Sequence, residues 1–571
     1  MSIEVLDRAP VQPADDTGRL RRELGRWDTV LFGISAMVAV DTIGAISVGG
    51  GQVVTWLLVL FVTFLVPSAL ATAELGAAIP AEGGAYAWVR EAFGAHAGAL
   101  TSLLYWAGTP IWVGGSVVVV AMSVLDVLVV PLSPPGRYAF GLGFVLLATL
   151  GAVLPLRQGK WIPSGGALGQ IALLVIFTVS VAVYGARHGV HGIRIGDLTP
   201  TAPVFVALVP VLLYSFVGVE LPSCAAEEMR DPRRDVPAAI LRAGIAQVLM
   251  YGIPVLAILT VLPTDRITSL RGFVDALATV LTVYGGSVGA DGTVGLTGAG
   301  RVLGWLSAGL FVWVLAASGT TWLMGTARSQ ASACLDGAGP RILGRISRRS
   351  GVPVLMVLVS GAASVATVLV GLAVSGADGQ RYFTVALTAG IAVDVLAYLL
   401  IFPAFVRLRL RRPELERPFR VPGGMPVAWL VGLSASGWTV VSVICALWPG
   451  AGTATPDAAL PMGFAGRRWE FEAMVSVPTV AVIAAYPVFL LLRGMLRYWR
   501  RARTLTWIGA QVRTGPQVRT GPQVRTGPRP IAWIPAQVRP GEAEGPVVNV
   551  RATSPGRGSA VGARHAVRPE R

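Results

Sequence analysis

The sequence predicts an all-α polytopic membrane protein with about twelve transmembrane helices. Of its 571 residues, 53% are hydrophobic and only 14% are charged, whereas a soluble domain carries about 25% charged residues. The mean hydropathy is +0.64. Uncharged apolar stretches long enough to cross a hydrocarbon core of about 30 Å recur along the chain. These observations exclude a soluble enzyme, a fibrous protein and a disulfide-rich scaffold.

The apolar stretches locate the individual spans. Each span needs about 20 residues, because an α-helix rises about 1.5 Å per residue. The predicted spans are residues 28–51, 53–78, 97–130, 138–155, 163–185, 203–226, 237–262, 301–325, 352–374, 382–406, 426–449 and 476–497.

The distribution of positive charge predicts the orientation of these spans. The chain carries 47 lysines and arginines and a formal net charge of +16. With the N-terminus inside, the cytoplasmic segments before the last span hold 23 of these residues, the C-terminal tail holds 15 and the outer loops hold 9. A cytoplasmic excess of lysine and arginine is typical of membrane proteins. We therefore expect a multi-pass protein of the cell membrane with both termini in the cytoplasm. Lipid, and not nucleic acid, is the expected partner of the positive charge.

The chain divides into three predicted regions. Residues 1–26 are polar and of mixed charge, and they predict a cytoplasmic N-terminal segment without a signal peptide. Residues 27–500 contain the twelve spans. Residues 501–571 include three successive copies of QVRTGP between positions 511 and 528. Because every copy contains Gly-Pro, this segment cannot form a regular helix. We expect it to be a disordered basic cytoplasmic tail.

Cysteine and histidine, which often form catalytic and metal-binding sites, are rare in this sequence. The three cysteines and four histidines are scattered along the chain, which predicts neither a disulfide framework nor a metal site, and no cofactor. The sequence contains no HExxH motif and no GxxxxGK[ST] phosphate-binding loop. It therefore indicates a protein that is not an enzyme and that ATP does not drive directly.

Two spans are interrupted by residues that disfavour a helix in a bilayer. The first span contains Asp41 deep in its apolar run and Gly44 three residues later, and the sixth contains Gly218, Glu220 and Pro222 within five residues. Glycine costs a helix about 1 kcal/mol and proline about 3 kcal/mol, and an intramembrane carboxylate adds a further cost. Close packing explains a single glycine. Breaks in corresponding spans of two halves are typical of inverted-repeat transporters, whose substrates bind at the breaks.

Two long motifs carry a resemblance to a known superfamily. VPSALATAELGAAIPAEGGAYAWVREAFG (residues 66–94) and SFVGVELPSCAAEEMRDPRRDVPAAI (residues 215–240) are similar to the second-span and sixth-span signatures of the amino acid–polyamine–organocation permeases. The motifs stand in the expected order, and the similarity covers residues 27–500. The resemblance implies a LeuT-type fold, in which spans 1–5 and 6–10 form a five-plus-five inverted repeat that two further helices follow.

The resemblance also implies a substrate site between the two breaks. The residues that it places there are Asp41, Thr42, Ile43, Gly44 and Ala45 of the first span and Phe216, Val217, Gly218 and Glu220 of the sixth.

Several positions depart from the family pattern or extend it. The first-span pattern is usually glycine-rich, whereas this chain has DTIGA, so that the acid Asp41 stands beside the binding segment. In the fifth span Gln170 stands where many members have a lysine, which argues against proton coupling through such a lysine. Trp112 of the third span is either an aromatic lid over the site or a packing residue. Glu74, near the end of the second span, is expected to brace neighbouring helix ends.

These features favour secondary active transport of amino acids by alternating access, through proton-coupled symport or exchange. Asp41 and Glu220 are the candidate coupling residues, and Ser318 and Asp394 are further candidates to line the pathway. Because intramembrane carboxylates also suit a cationic substrate, a polyamine or organic-cation permease is the alternative. A non-transporting membrane sensor on the same scaffold is another. The sequence leaves the substrate, the coupling ion and the oligomeric state open.

The predicted orientation is testable by cysteine labelling. The loop at 263–300 is predicted outside, and the loops at 227–237 and 326–352 are predicted inside. A single cysteine introduced at Arg348, in a chain whose native cysteines are replaced, should resist a membrane-impermeant maleimide in intact cells and react once the membrane is opened. Strong labelling in intact cells would contradict the orientation.

Overall fold

The structure, a computed structural model, describes residues 25–513 apart from residues 82, 191, 264–266, 290–291, 348, 376–377 and 462. Most of the predicted N-terminal segment, the tail from residue 514 onward with its second and third repeats, and the labelling position Arg348 lie outside the described residues. The chain forms two units, residues 1–499 and residues 500–571. Only residues 500–513 of the second unit are described, and they are helical, whereas the sequence predicted disorder from residue 501.

Helices make up almost all of the regular structure in the described ranges. The α-helices are α1 (Arg26–Met37), α2 (Ile43–Ser47), α3 (Gln52–Leu60), α4 (Val66–Ala78), α5 (Ala85–Phe93), α6 (Ala95–Trp112), α7 (Val118–Leu128), α8 (Pro134–Val153), α9 (Leu156–Gly159), α10 (Trp161–His188), α11 (Ala202–Tyr214), α12 (Pro232–Val261), α13 (Gly272–Leu281), α14 (Gly298–Leu335), α15 (Val354–Ser375), α16 (Gly379–Arg411), α17 (Gly424–Leu447) and α18 (Arg468–Arg513).

Shorter elements join these helices. One π-helical turn connects α3 to α4, and a second connects α6 to α7, so that each pair forms one long span. The 3-10 helices are Val40–Thr42, Ile195–Leu198, Leu221–Glu228, Thr282–Tyr284 and Pro456–Ala459. The strands β1 (Gly286–Val288) and β2 (Val294–Leu296) form an antiparallel hairpin in which Ser287 lies opposite Gly295.

The helical segments confirm the predicted all-α polytopic fold. Within the described residues, eleven segments are long and apolar enough to cross a membrane, and they correspond to all of the predicted spans except the sixth. The sixth span is broken, as the sequence predicted, since α11 ends at Tyr214 and regular structure resumes only in the 3-10 helix Leu221–Glu228. A difference from the prediction lies in the loop at 263–300. It contains the buried helix α13 and the hairpin, which the sequence analysis did not predict.

The spans differ in how deeply the protein encloses them. The most apolar part of the first span is 94% buried, that of α6 and α7 is 78% buried and that of α16 is 72% buried, whereas for α18 the value is 11%. The first, third and tenth spans therefore form the centre of the bundle. On α18, apolar side chains such as Val477 and Leu491 are exposed, as expected of a surface that faces lipid.

Glu74 at the end of α4 holds three segments together. Arg409 of α16 forms a bidentate ion pair with the Glu74 carboxylate, Nε of Arg417 lies 3.3 Å from Glu74 Oε1, and the Val421 N–H donates to Oε2 at 2.7 Å. The side chains of Glu74 and Arg409 are each 2% exposed. The prediction that Glu74 braces neighbouring helix ends is confirmed.

The contribution of the Glu74 ion pairs to the free energy of unfolding can be measured. Glu74→Gln should lower the free energy of unfolding by about 3–5 kcal/mol, because it leaves buried guanidinium groups without a counter-charge. The matched control is Glu416→Gln, since Glu416 pairs with Arg233 at 2.7 Å on the surface, where the two side chains are 71% and 49% exposed. That change should cost about 0–1 kcal/mol. Unfolding of the purified variants in detergent measures both values, and equal losses would show that Glu74 is not a brace.

Candidate functional site between two helix breaks

The first break lies at Val38 and Ala39. Helix α1 ends at Met37, the backbone is extended at Val38 (φ −98°, ψ 95°), and the chain resumes in the 3-10 helix that contains Asp41. The break therefore precedes both Asp41 and Gly44, the two residues by which the sequence analysis marked it.

Gly44 does not unwind the helix. It lies within α2, and a Cβ atom there would stand 3.0 Å from the Ser269 carbonyl oxygen and 3.2 Å from the Gly272 amide nitrogen. Gly44 thus allows α2 to pack closely against the start of α13. This contact is the packing role that glycines often have in membrane helices. The neighbouring residues Thr42, Ile43 and Ala45 are buried in the same short helical stretch.

Side chains from distant spans bind the backbone groups that the first break releases. Their hydrogen bonds run from Trp322 Nε1 to the Ala36 oxygen (2.8 Å), from Gln247 Nε2 to the Met37 oxygen (2.9 Å), from Gln170 Nε2 to the Val38 oxygen (2.8 Å) and from the Ala39 N–H to the Tyr251 hydroxyl (2.9 Å). Gln170 stands where the resemblance led us to expect a lysine. It is therefore an uncharged hydrogen-bond donor to the backbone at the first break. These bonds satisfy the rule that backbone groups within a bilayer need partners inside the protein.

The second break lies beside the first. After α11, Gly218 adopts φ +98°, a conformation that favours glycine. A Cβ atom on Gly218 would stand 3.0 Å from Cζ2 of Trp322 and 3.6 Å from the Ala36 oxygen. Phe216 and Val217 are buried next to it. The structure thus brings the two predicted breaks together, with the Trp322 ring between them.

Glu220 is fully buried at the second break. Its Oε1 atom accepts hydrogen bonds from the hydroxyls of Tyr105 (2.7 Å) and Tyr398 (2.5 Å), and no part of the residue is exposed. Its Oε2 atom has no hydrogen-bond partner among the described residues. Phenol groups thus stabilise one side of the carboxylate, and the other side is unpaired.

Asp41 has a similar arrangement at the first break. Its Oδ2 atom accepts from Trp112 Nε1 at 3.0 Å and from the Ser116 hydroxyl at 2.5 Å. Its Oδ1 atom has no hydrogen-bond partner in the described part of the chain. Trp112, which the sequence analysis assigned either to a lid or to packing, is buried and holds the Asp41 carboxylate.

Aromatic rings fill the space between the two carboxylates. The ring centroids of Trp112 and Trp322 are 6.0 Å apart, those of Tyr105 and Trp322 are 6.0 Å apart, and those of Tyr105 and Tyr398 are 6.5 Å apart. The faces of such rings attract organic cations, and the attraction is strongest where water is excluded. The arrangement therefore suits a positively charged ligand.

The sequence analysis missed four of the residues that build this site. Tyr105, Tyr251, Trp322 and Tyr398 lie in apolar spans, where an aromatic residue is usually a packing residue. One signal was present, since Tyr105 and Trp112 stand seven residues apart and therefore on one face of a helix. The spacing alone did not show that this face carries the partners of both carboxylates.

A cavity lies on one side of the site. It encloses about 310 Å³ between α2, α11, α16 and the segment from Pro449 to Pro461, and Ala45 is part of its lining. The segment after α17 is predicted to be outside. The cavity thus extends from the first-span segment toward the predicted outer side of the membrane.

Comparison with known proteins places these features in a family. Residues 24–464 match the model of the amino acid permease family. A probable agmatine/putrescine antiporter of Lactococcus lactis is 25% identical over 409 residues, which are 71% of this chain and 83% of the relative. An uncharacterized transporter of Legionella pneumophila is 25% identical over 438 residues, 75% of this chain and 89% of the relative. A crystal structure of the manganese transporter of Eremococcus coleocola aligns at 13% identity with a TM-score of 0.49, and covers 83% of this chain and 99% of that one.

The match to the family model extends over most of the chain and includes both breaks. The family and the relatives are transporters and permeases, not enzymes. The chain is a membrane transporter that belongs to the amino acid permease family, within the amino acid–polyamine–organocation superfamily.

Proposed function

We propose that this protein is a secondary transporter of small organic amines, which bind between the two helix breaks and cross the membrane by alternating access. The observation that carries the proposal is the pair of buried carboxylates, Asp41 and Glu220, on either side of an aromatic cluster. Each has one oxygen without a hydrogen-bond partner among the described residues. A buried carboxylate of this kind is expensive, and an ammonium group of a substrate is its natural counter-ion.

The position of Asp41 favours an amine over a neutral amino acid. The family resemblance places the carboxylate of an amino acid substrate at the first break, where released N–H groups attract an anion. In this chain Asp41 itself occupies the first turn after the break. A built-in carboxylate there disfavours a second one from the substrate. The printed name of the Lactococcus lactis relative, a probable agmatine/putrescine antiporter, supports the same substrate class.

An amino acid substrate is the second candidate. The name of the family favours it, and a basic amino acid would offer a cationic side chain to Glu220. Uptake into proteoliposomes, with unlabelled amines and amino acids as competitors and with or without a proton gradient, separates the two candidates. Competition by agmatine and putrescine but not by neutral amino acids would support the amine. The reverse result would overturn the proposal.

We further propose that the protein acts in the cell membrane with both termini in the cytoplasm, and that it works by exchange or by coupling to protons. The arginine distribution supports this orientation. Glu220 is the proposed coupling group, because its carboxylate is enclosed by neutral donors and is able to bind a proton when no ammonium group is present.

Gly218 tests whether substrate binds at the break. Gly218→Leu should abolish substrate binding, because a side chain would fill the space beside Trp322 and the Ala36 oxygen. The positive φ adds strain of about 1–3 kcal/mol, so the variant should be less stable but folded in detergent. The matched control is Gly309→Leu, at an exposed glycine of α14 whose Cβ would have no neighbour within 4 Å. Normal substrate binding by folded Gly218→Leu would exclude binding at this break.

Glu220 tests the coupling proposal. Glu220→Gln retains the shape of the side chain but removes its change of protonation. We expect exchange to continue with at least tenfold weaker substrate affinity and accumulation driven by a proton gradient to be lost. The surface variant Glu416→Gln, measured in parallel in proteoliposomes, should accumulate substrate normally. Wild-type accumulation by Glu220→Gln at every external pH would show that Glu220 is not the proton carrier.

A further inference from the structure

A third buried carboxylate lies next to the proposed site. Asp394 of α16 is 1% exposed. The Tyr214 hydroxyl approaches its Oδ2 atom at 3.5 Å, which is long for such a bond. Its Oδ1 atom has no hydrogen-bond partner among the described residues. The charge of Asp394 interacts with that of Glu220, and no arginine, lysine or histidine of the described chain pairs with it.

Gly108 of α6 makes room for this carboxylate. A Cβ atom on Gly108 would stand 1.9 Å from Asp394 Oδ1 and 2.3 Å from its Cγ atom. Any other residue at this position would therefore displace the carboxylate. The unpaired oxygen points at α6, on the side of the helix that carries the rest of the site.

Helix α6 arranges all three carboxylates in a row. Tyr105 binds Glu220, Gly108 faces Asp394 and Trp112 binds Asp41. These positions are three and four residues apart, so they share one face of the helix. At about 1.5 Å per residue, the three contact points follow one another along the helix axis at intervals of roughly 4.5 Å and 6 Å. Asp394 thus lies between the other two carboxylates.

Helix α16 and the second break give the same order. Tyr398, which donates to Glu220, stands one turn after Asp394 on α16. Tyr214, which approaches Asp394, is the last residue of α11 before the second break. Contacts from three separate helices therefore place Asp394 within the site and not behind it.

We propose that Asp394 binds the second ammonium group of a diamine, so that the transported substrate carries two positive charges. The inference rests on the proposed transport of organic amines. One ammonium group neutralises one carboxylate, whereas the row contains three, and Asp394 and Glu220 repel each other when both are ionised. A short linear diamine neutralises Asp394 together with a neighbouring carboxylate, and its alkyl chain lies against the aromatic rings.

The test compares a diamine with the monoamine of the same length. Binding of 1,4-diaminobutane and of n-butylamine to the purified full-length protein is measured by calorimetry in detergent. Wild type should bind the diamine at least tenfold more tightly. Asp394→Asn should reduce this preference to less than threefold. The control Asp275→Asn, which removes an acid of α13 that pairs with Arg271 at 3.4 Å, should keep the wild-type preference.

Thermal unfolding without ligand distinguishes binding from a structural role. A carboxylate buried without a counter-charge destabilises the protein, so the melting temperature of Asp394→Asn should equal or exceed that of wild type. A lower melting temperature together with an unchanged diamine preference would overturn the inference. If Asp394→Asn does not fold, the affinities of the wild-type protein test the inference without the variant. Equal affinity of wild type for the diamine and the monoamine would also overturn the inference.

The experiment separates this inference from the proposed function. If wild type binds both amines equally well, transport of organic amines stands and only the role of Asp394 fails. If wild type binds neither amine, the proposed function itself fails.

Discussion

Inside a bilayer every backbone polar group needs a partner within the protein, and the two helix breaks are where this constraint is hardest to meet. The first break releases carbonyl and amide groups at residues 36–39, and the structure supplies an indole, two amides and a phenol from spans five, seven and eight. These bonds hold the break open in a defined geometry. The second break packs against it through Gly218, where the absence of a side chain allows the close approach. The site exists because the breaks are stabilised by distant parts of the chain.

The buried acidic residues of this protein fall into two groups that differ in their hydrogen-bond and ion-pair partners. Glu74 is enclosed by two arginines and a backbone N–H, so that its charge is fully paired and its role is structural. Asp41, Glu220 and Asp394 are bound by neutral hydroxyl and indole groups and each retains an unpaired oxygen. Paired charges stabilise a helix junction, whereas unpaired ones cost free energy in the resting protein. This contrast between acids of one bundle is the physical basis for the proposal that the second set binds a cationic substrate.

Neutral donors also suit a site that has to release its ligand. Phenol and indole groups stabilise a carboxylate without competing with a substrate for it as an arginine would. Gln170 fits the same scheme, because an amide holds the Val38 carbonyl without adding a positive charge next to Asp41. Aromatic faces supply attraction for an ammonium group that is distributed over several rings. The site thus combines three buried carboxyl groups with apolar walls, and none of the three pairs with a lysine, arginine or histidine among the described residues.

The sequence by itself determined the class of fold, the positions of the spans and the family, because lipid imposes a local requirement that each span of about 20 apolar residues reveals. It also marked the acids at positions 41, 220 and 394, since an ionisable residue in an apolar run is conspicuous. The break that it marked in the sixth span at Gly218 and Glu220 is present, but it did not place the first break at residues 38–39, ahead of Asp41, or show which side chains bind the backbone there. Those features depend on donors more than 100 residues away along the chain. Only the tertiary structure decided which aromatic residues hold which carboxylate, because such pairings arise from helix packing that no local pattern records.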